Sequence, residues 1–384
     1  MSFATLVLID TKPSRNSYVP LTANTLLATY QKNATSHAVI INAEEESYQD
    51  LELPLVQISQ MARISGNSIV LIGATKSLPM ALYRVDVTQP CTLEGLKSSI
   101  DMRLPRGMLS IPQHISFLQT DGDFREHLSH AVFLPPTNPN FKATPGTLPP
   151  LVVYLHGGPT SHVTTGLSMS AQYWTSRGYA HVSVNYAGST SYGRAYRDLL
   201  NGRWGVLDVA DVAGCVSYLS KTGQIDHKRV GIYGGSAGGY GVLQALSTYP
   251  ALWASGISLY GISSLPALAK DTHKYESHYL DGLLFKHGAT KEEQEKILHD
   301  RSPLNHADRI TAPVLLLQGT EDKVVPLNQT LEMEKSIKEK GGTVKVIIFK
   351  GEGHGFRREE NIMRSLQEQN DWFYDTLVQP RSGR

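Results

Sequence analysis

The chain has 384 residues, 41% hydrophobic and 18% charged, an ordinary globular composition with length for one large and one small domain. With 36 Lys and Arg against 35 Asp and Glu, the charge balance gives no electrostatic case for nucleic acid or an anionic membrane as a partner. Cys91 and Cys215 stand far apart with no CxxC spacing, which predicts free thiols in a reducing, cytoplasmic compartment rather than a disulfide framework.

The opening MSFATLVLIDTKPSR has no basic start and no long apolar core, so it does not read as a secretory signal. No apolar run reaches membrane-spanning length. Residues 1–110 carry short β-type runs (TLVLID, HAVIIN, LPLVQIS, SIVLIGA, ALYRVDV) separated by polar turns, without helical periodicity. A propeller blade needs four strands in roughly 40–45 residues, so this part has room for two or three blades. A closed ring usually has about 4–8 blades, and it does not fit.

Residues 135–150, PPTNPNFKATPGTLPP, form a Pro-rich surface loop. Beyond it, apolar strands alternate with helical patterns. Pro150–Leu155 leads into His156-Gly157-Gly158-Pro159, and Ala180–Asn185 into Tyr186–Arg194. A helix is expected from about Val206 to Ser220, with Asp208 and Asp211 in its first turn, where carboxylates suit the helix dipole. Val230–Tyr233 precedes Gly234-Gly-Ser236-Ala-Gly238. Ala254–Tyr260 follows, then a polar, mostly helical stretch at 262–300 in which Tyr275, Glu276 and Tyr279 are candidate pocket residues. Pro313–Gln318 leads into Gly319-Thr-Glu-Asp322, and Val344–Phe349 into Gly351-Glu-Gly-His354. A last helix is expected over roughly Glu359–Leu377. Continuous apolar strands alternating with helices predict a mostly parallel α/β sheet covered on both faces. Sites on such sheets lie at the carboxyl ends of strands, which places Gly158, Ser236, Asp322 and His354 at one edge.

Gly-x-Ser-x-Gly suits a nucleophile elbow, where a serine sits on a sharp strand-to-helix turn and the next N–H, that of Ala237, faces a developing oxyanion. A serine hydroxyl needs a base within hydrogen-bond reach, and the base needs an orienting acid. Ser236, Asp322 and His354 obey the order Ser, Asp or Glu, His. His354 is one of 14 histidines, chosen because its glycine-flanked loop follows the last strand. Spacing alone does not separate Asp322 from Glu321; Asp322 is taken for its position four residues before Pro326. Gly157 and Gly158 both allow a second oxyanion donor, and Gly158 is preferred by position. His156 is read as shaping that turn. No metal or cofactor motif is present: HExxH is absent, and Gly234–Gly239 lacks the Gly-Lys-Ser/Thr ending of a phosphate loop.

With these residues placed, the chain from about Pro112 onward resembles the prolyl oligopeptidase family of serine peptidases, and especially its acylaminoacyl-peptidase and dipeptidyl-peptidase-like branch. The resemblance is carried by His156–Pro159, Asn185–Arg194, Trp204–Asp208 with Asp211-Val212, Gly234–Gly239, Gly319–Asp322 with Val325-Pro326, and Gly353–Phe356. It implies Ser236 as nucleophile, Asp322 as acid, His354 as base, and the N–H groups of Gly158 and Ala237 as the oxyanion hole. It also implies an α/β-hydrolase domain at 111–384 preceded by a partial β-propeller-like segment at 1–110. The expected reaction is cleavage of peptide or acyl-amino bonds of small peptides through an acyl-enzyme. A carboxylesterase acting on small acyl esters and a catalytically inactive scaffold of the same fold are the alternatives. The sequence departs from the family at Ala187, where an arginine is usual. Residues 1–110 match only the last propeller blades, without the glutamates that grip a free amino terminus in some relatives. An incomplete propeller exposes sheet edges, which predicts a shortened member, a piece of a longer chain, or a homo-oligomer that covers the edge.

Overall fold

The structure, a computed structural model, describes residues 17–379 apart from 89, 102–103, 106, 120–125 and 272–276. The expected strand TLVLID and the candidates Tyr275 and Glu276 lie outside these residues.

Strands β1 (Tyr18–Pro20), β2 (Thr25–Lys32), β3 (Thr35–Asn42) and β4 (Ser47–Leu51) form one antiparallel four-stranded sheet in sequence order. Strands β5 (Gln57–Ser65), β6 (Ser68–Ala74), β7 (Ala81–Asp86) and β8 (Thr92–Ser98) form a second. The two share one core, in which Leu27, Ile69, Leu71 and Val85 are almost fully buried. Hydrogen bonds join them as well, with Ser36 N–H donating to Val56 O and the Arg63 side chain to Pro20 O.

The rest of the chain builds an eight-stranded sheet. Its strands are β9 (Gln113–Gln119), β10 (His127–Leu134), β11 (Leu151–Leu155), β12 (Ala180–Asn185), β13 (Val230–Gly235), β14 (Ser255–Leu259), β15 (Val314–Gly319) and β16 (Val344–Phe349). The order is β16-β15-β14-β13-β11-β12-β10-β9. It is parallel from β16 to β12, and β10 and β9 run antiparallel at one end. The central strands read as near-continuous apolar runs because both faces are covered. Helices α1 (Met169–Thr175), α2 (Arg194–Asp198), α3 (Leu207–Lys221), α4 (Ala237–Thr248), α5 (Leu265–Asp271), α6 (Ser277–Leu284), α7 (Lys291–Asp300), α8 (Leu327–Glu339) and α9 (Glu359–Phe373) alternate with them. On one face, Val209 and Val216 of α3, Val242 and Leu246 of α4 and Met333 and Ile337 of α8 pack against Val153, Val182 and Ile232. On the other, Trp174 of α1 and Phe373 of α9 pack against Val152, Tyr233, Ile257 and Leu317.

Two antiparallel strands, β9 and β10, escaped the reading by apolar runs. In β9 the polar His114, Ser116 and Gln119 interrupt Ile115, Phe117 and Leu118, which dilutes either period. The two β-sheets and the large sheet touch through the loop that follows Pro159. There Thr165 N–H donates to Ala34 O at 2.9 Å, Leu167 N–H to Thr75 O at 2.9 Å, and Thr164 Oγ1 to Gln57 Oε1 at 3.0 Å. Among the described residues, no helix is long and apolar enough to cross a membrane.

Candidate active site

Ser236 ends the β13 turn at φ +59°, ψ −125° and is the N-cap of α4. A non-glycine residue at positive φ is strained, typically by about 1–3 kcal/mol, and such strain concentrates at functional sites. The flanking glycines have a steric cause. A Cβ on Gly238 would lie 2.2 Å from Leu155 O, and one on Gly234 would lie 2.7 Å from the same oxygen. The elbow is therefore pressed against the end of β11, and only glycine permits that approach.

His354 lies on the loop between β16 and α9. Its Nε2 is 2.8 Å from Ser236 Oγ and its Nδ1 is 2.8 Å from Asp322 Oδ2. A carboxylate only accepts, so Nδ1 carries the proton and Nε2 is left to accept from the serine hydroxyl. Asp322 Oδ1 accepts the N–H groups of Val324 and Val325 at 2.9 Å each, and Gln318 Nε2 donates to Oδ2 at 3.2 Å. Burial raises the Asp322 carboxyl. The bonds from His354 and from the Val325 and Val324 amides outweigh it and hold the group below the usual carboxylate range. Glu321, by contrast, is exposed, and its N–H donates to Glu352 O at 2.8 Å. The structure brings Asp322, and not Glu321, to His354.

One more contact fixes the imidazole, and a set of bonds fixes its loop. Tyr260, at φ +39°, meets the His354 ring edge to face with centroids 4.9 Å apart. The buried Glu352 carboxylate accepts from the Arg357 and Arg358 N–H groups at 2.9 and 3.0 Å and from Asn361 Nδ2 at 2.8 Å, tying the loop to the start of α9. The acid and base loops touch at Gly319, where a Cβ would lie 2.3 Å from Glu352 O. Sequence reasoning missed Gln318, Tyr260 and Glu352. The signal for Gln318 was a lone polar residue closing the apolar run of β15, and that for Glu352 was its place between the glycines before His354.

The Gly157–Gly158 loop lies against the elbow, since a Cβ on Gly157 would be 3.5 Å from Ser236 Cβ. Gly158 is at φ +124° and exposed to solvent. His156 is buried beneath it, its Nε2 2.8 Å from Ser189 Oγ and its ring stacked on Tyr186 at 4.3 Å. The Tyr186 hydroxyl donates to His156 O at 2.9 Å and reaches Pro159 O at 3.3 Å. Ala237 starts α4, where the first N–H groups have no partner inside the helix and favour negative charge. A cavity of about 460 Å³ opens beside Ser236 and His354, lined by Tyr154, Ser170, Tyr233, Tyr260, Leu366 and Gln369. On the other side of the elbow, Ala237 packs in an apolar cluster with Trp204, Ile262, Leu265, Leu283 and Val325.

Asp208 and Asp211 take no part in the relay. Asp208 accepts the Gly205 N–H at 2.7 Å, and the fully buried Asp211 accepts the Ala187 N–H at 2.7 Å and pairs with His127 Nε2 at 2.9 Å. Both anchor the start of α3. Ala187 itself is buried and contributes its backbone. Cys91 and Cys215 are free thiols.

Residues 165–379, more than half of the chain, match the prolyl oligopeptidase family. A Mycobacterium tuberculosis puromycin-hydrolyzing peptidase superposes with a TM-score of 0.86 at 36% identity, over 96% of this chain and 54% of that one. Dipeptidyl aminopeptidase BIII of Pseudoxanthomonas mexicana is 35% identical over 55% of this chain and 31% of its own length. The acylamino-acid-releasing enzyme of Rattus norvegicus is 28% identical over 90% of this chain and 49% of its own length. The chain thus spans about a third to a half of the length of the relatives it matches. The solved structure aligns through the two small β-sheets as well as the large one. With an α/β-hydrolase fold and an all-β segment ahead of it, the chain belongs to the prolyl oligopeptidase family.

Proposed function

We propose that the chain is a serine hydrolase that cleaves peptide or acyl-amino bonds of small peptides through an acyl-enzyme. The observation that carries this reading is the Ser236–His354–Asp322 relay, with both contacts at 2.8 Å, on a strained elbow. Ser236 gives its proton to His354 Nε2 as its Oγ bonds the substrate carbonyl carbon. Asp322 holds the tautomer and stabilises the imidazolium. The N–H groups of Ala237 and Gly158 hold the oxyanion. As the intermediate collapses, the C–N bond breaks and His354 protonates the leaving amine. Water then repeats the sequence to release the acid. The names of the relatives, an acylamino-acid-releasing enzyme and a dipeptidyl aminopeptidase, support amide substrates. No metal or organic cofactor is called for in this sequence of steps.

In this reading the hydrolase unit at 111–384 carries the chemistry and the segment at 1–110 borders the entrance. The outer strands β4 and β8 each end their sheets, and β8 is largely exposed, so a second copy can pair there to form a homo-oligomer. A sharply monodisperse monomer in sedimentation velocity would overturn that part. Two free thiols support a reducing, cytoplasmic location.

The test is Ser236→Ala, which should abolish turnover and fluorophosphonate labelling while leaving the circular dichroism spectrum unchanged. Labelling that persists in the variant sinks the assignment. A panel of acyl-amino-acid anilides against short nitrophenyl esters separates amide from ester chemistry, and a folded wild-type protein inert to the probe points to the inactive scaffold.

A further inference from the structure

The loop that carries Gly158 is held from the sheet side by many bonds, and from the solvent side by a residue of α6. Tyr279 places its hydroxyl 2.6 Å from Thr160 Oγ1, and the Thr160 N–H donates to the same phenol oxygen at 3.3 Å. A phenol oxygen that accepts one bond still has a proton to give. The N–H and the hydroxyl of Thr160 are therefore both met by one side chain, 119 residues away in sequence.

Thr160 is tightly coupled to Gly158. A Cβ on Gly158 would lie 3.0 Å from Thr160 N and 3.1 Å from Ser161 N, so the chain folds back on Gly158 in one tight turn that Thr160 helps to close. The far end of Tyr279's own helix is well fixed. Gly202 N–H donates to Gly282 O at 3.0 Å, Trp204 N–H to Leu283 O at 3.1 Å, and Arg301 Nη1 to Leu284 O at 3.3 Å. Leu283 and Leu284 are buried. Beyond Thr160 the chain is fixed again, by Thr190 N–H donating to Ser161 O at 2.9 Å and by Asn185 bonding both backbone groups of Val163.

We propose that Tyr279 is a positioning residue for the oxyanion hole, acting through Thr160 to hold the Gly158 N–H in place for the developing charge. The proposal rests on the hydrolase reading above. An oxyanion donor stabilises charge only when it is aimed in advance, so the effect belongs to the transition state and not to substrate binding. Removal of a whole donor typically costs about 10²–10³ in rate, and a loosened one should cost less.

The experiment is a double-mutant cycle with Tyr279→Phe, which keeps shape and removes both bonds, and Thr160→Val, which keeps shape and removes the hydroxyl bond alone. Each should lower kcat by roughly 10-fold with KM within about 2-fold, and the double variant should be no slower than the worse single, since coupled residues are not additive. Fluorophosphonate should still label Ser236 fully but more slowly. Independent effects that multiply in the double variant, or a change confined to KM, overturn the proposal, the latter by making Tyr279 a substrate contact. Amide hydrogen exchange over 157–161 provides a readout that does not depend on activity. It should speed up in Tyr279→Phe, and unchanged exchange overturns the proposal. Failure of the hydrolase reading is seen separately, as a wild-type chain that the probe does not label.

Discussion

Gln318 Nε2 donates to Oδ2 of Asp322 at 3.2 Å, the same oxygen that faces His354 Nδ1. Its Oε1 accepts the Thr330 hydroxyl at 3.0 Å, so the amide cannot turn without losing a buried bond. Asp322 is thus held by two amides on one oxygen and by a side chain and an imidazole on the other. Asp322→Asn keeps this shape but offers the wrong hydrogen-bonding partner to Nδ1, and kcat should fall by about 10⁴. Gln318→Met removes the donor to Asp322 together with the bonds to Val325 O and from Thr330, and leaves the His354 contacts in place, so a lowered denaturation midpoint and a fall of roughly 10-fold in kcat with little change in KM are expected, in line with a net hydrogen bond to a charged group. Glu321→Gln should leave both constants unchanged. Steady-state kinetics on the three variants checks the set.

Acid should weaken the fold in a defined window. Burial pushes His156 down to about 4 and His181 down to about 3. His130 is pushed down to about 4 by burial, with the charges of His114 and His127 adding to it. All three are neutral in the folded chain, while in the unfolded chain they take up protons near the ordinary value of about 6.5. The unfolded state binds more protons below that pH, so stability falls as pH drops from about 6.5 to about 4. The Asp322 carboxylate adds a further loss in the carboxylate range. Urea midpoints at successive pH values should decline over this window, and His130→Gln should decline less.

Asp208 works in the opposite sense. Burial raises it to about 7, against the weaker effect of the amides it accepts. Its neutral form is favoured in the fold, so its contribution is present below the unfolded value of about 4 and is lost as pH rises through about 7. Asp208→Asn keeps an acceptor for Gly205 and removes this opposing contribution. The same urea series should therefore show a steeper acid decline in the variant than in the wild type.

The elbow should not tolerate a methyl group. Gly238→Ala places Cβ against Leu155 O, a backbone carbonyl at the end of the central strand β11 that no side-chain rotation can move. Overpacking typically costs about 1–3 kcal/mol, and a rigid neighbour puts this site at the upper end. A lowered denaturation midpoint, with loss of labelling at Ser236, is the expected outcome. Gly178→Ala provides a comparison: its Cβ meets nothing within 4 Å, and its φ of +91° alone is strained.

Much of this arrangement was legible in the sequence because the hydrolase strands advertise themselves. Runs such as Val314–Gly319 are apolar on both faces, and the turns after them carry Gly with Ser, Asp or His. The order of those turns then follows the order of the strands. What stayed hidden depends on contacts between distant segments. Gln318 and Glu352 look like ordinary polar residues until the loops after β15 and β16 are brought together. Tyr260 acquires its role against His354 from a backbone conformation that no pattern announces. Strands β9 and β10 were missed because their polar residues are satisfied by tertiary partners, His130 by Ser116 and His127 by Asp211.

The bonds from residues 164–167 to Ala34, Gln57 and Thr75 have a consequence for how such a chain can be altered. The strut that docks the two small sheets is continuous with the turn that carries Gly158. A graft that exchanges those sheets for another entrance cannot be treated as a change of packaging alone, because it re-seats one jaw of the reaction centre. Engineers who swap that portion should find turnover moving together with selectivity, and selection acting on either property would be felt by the other.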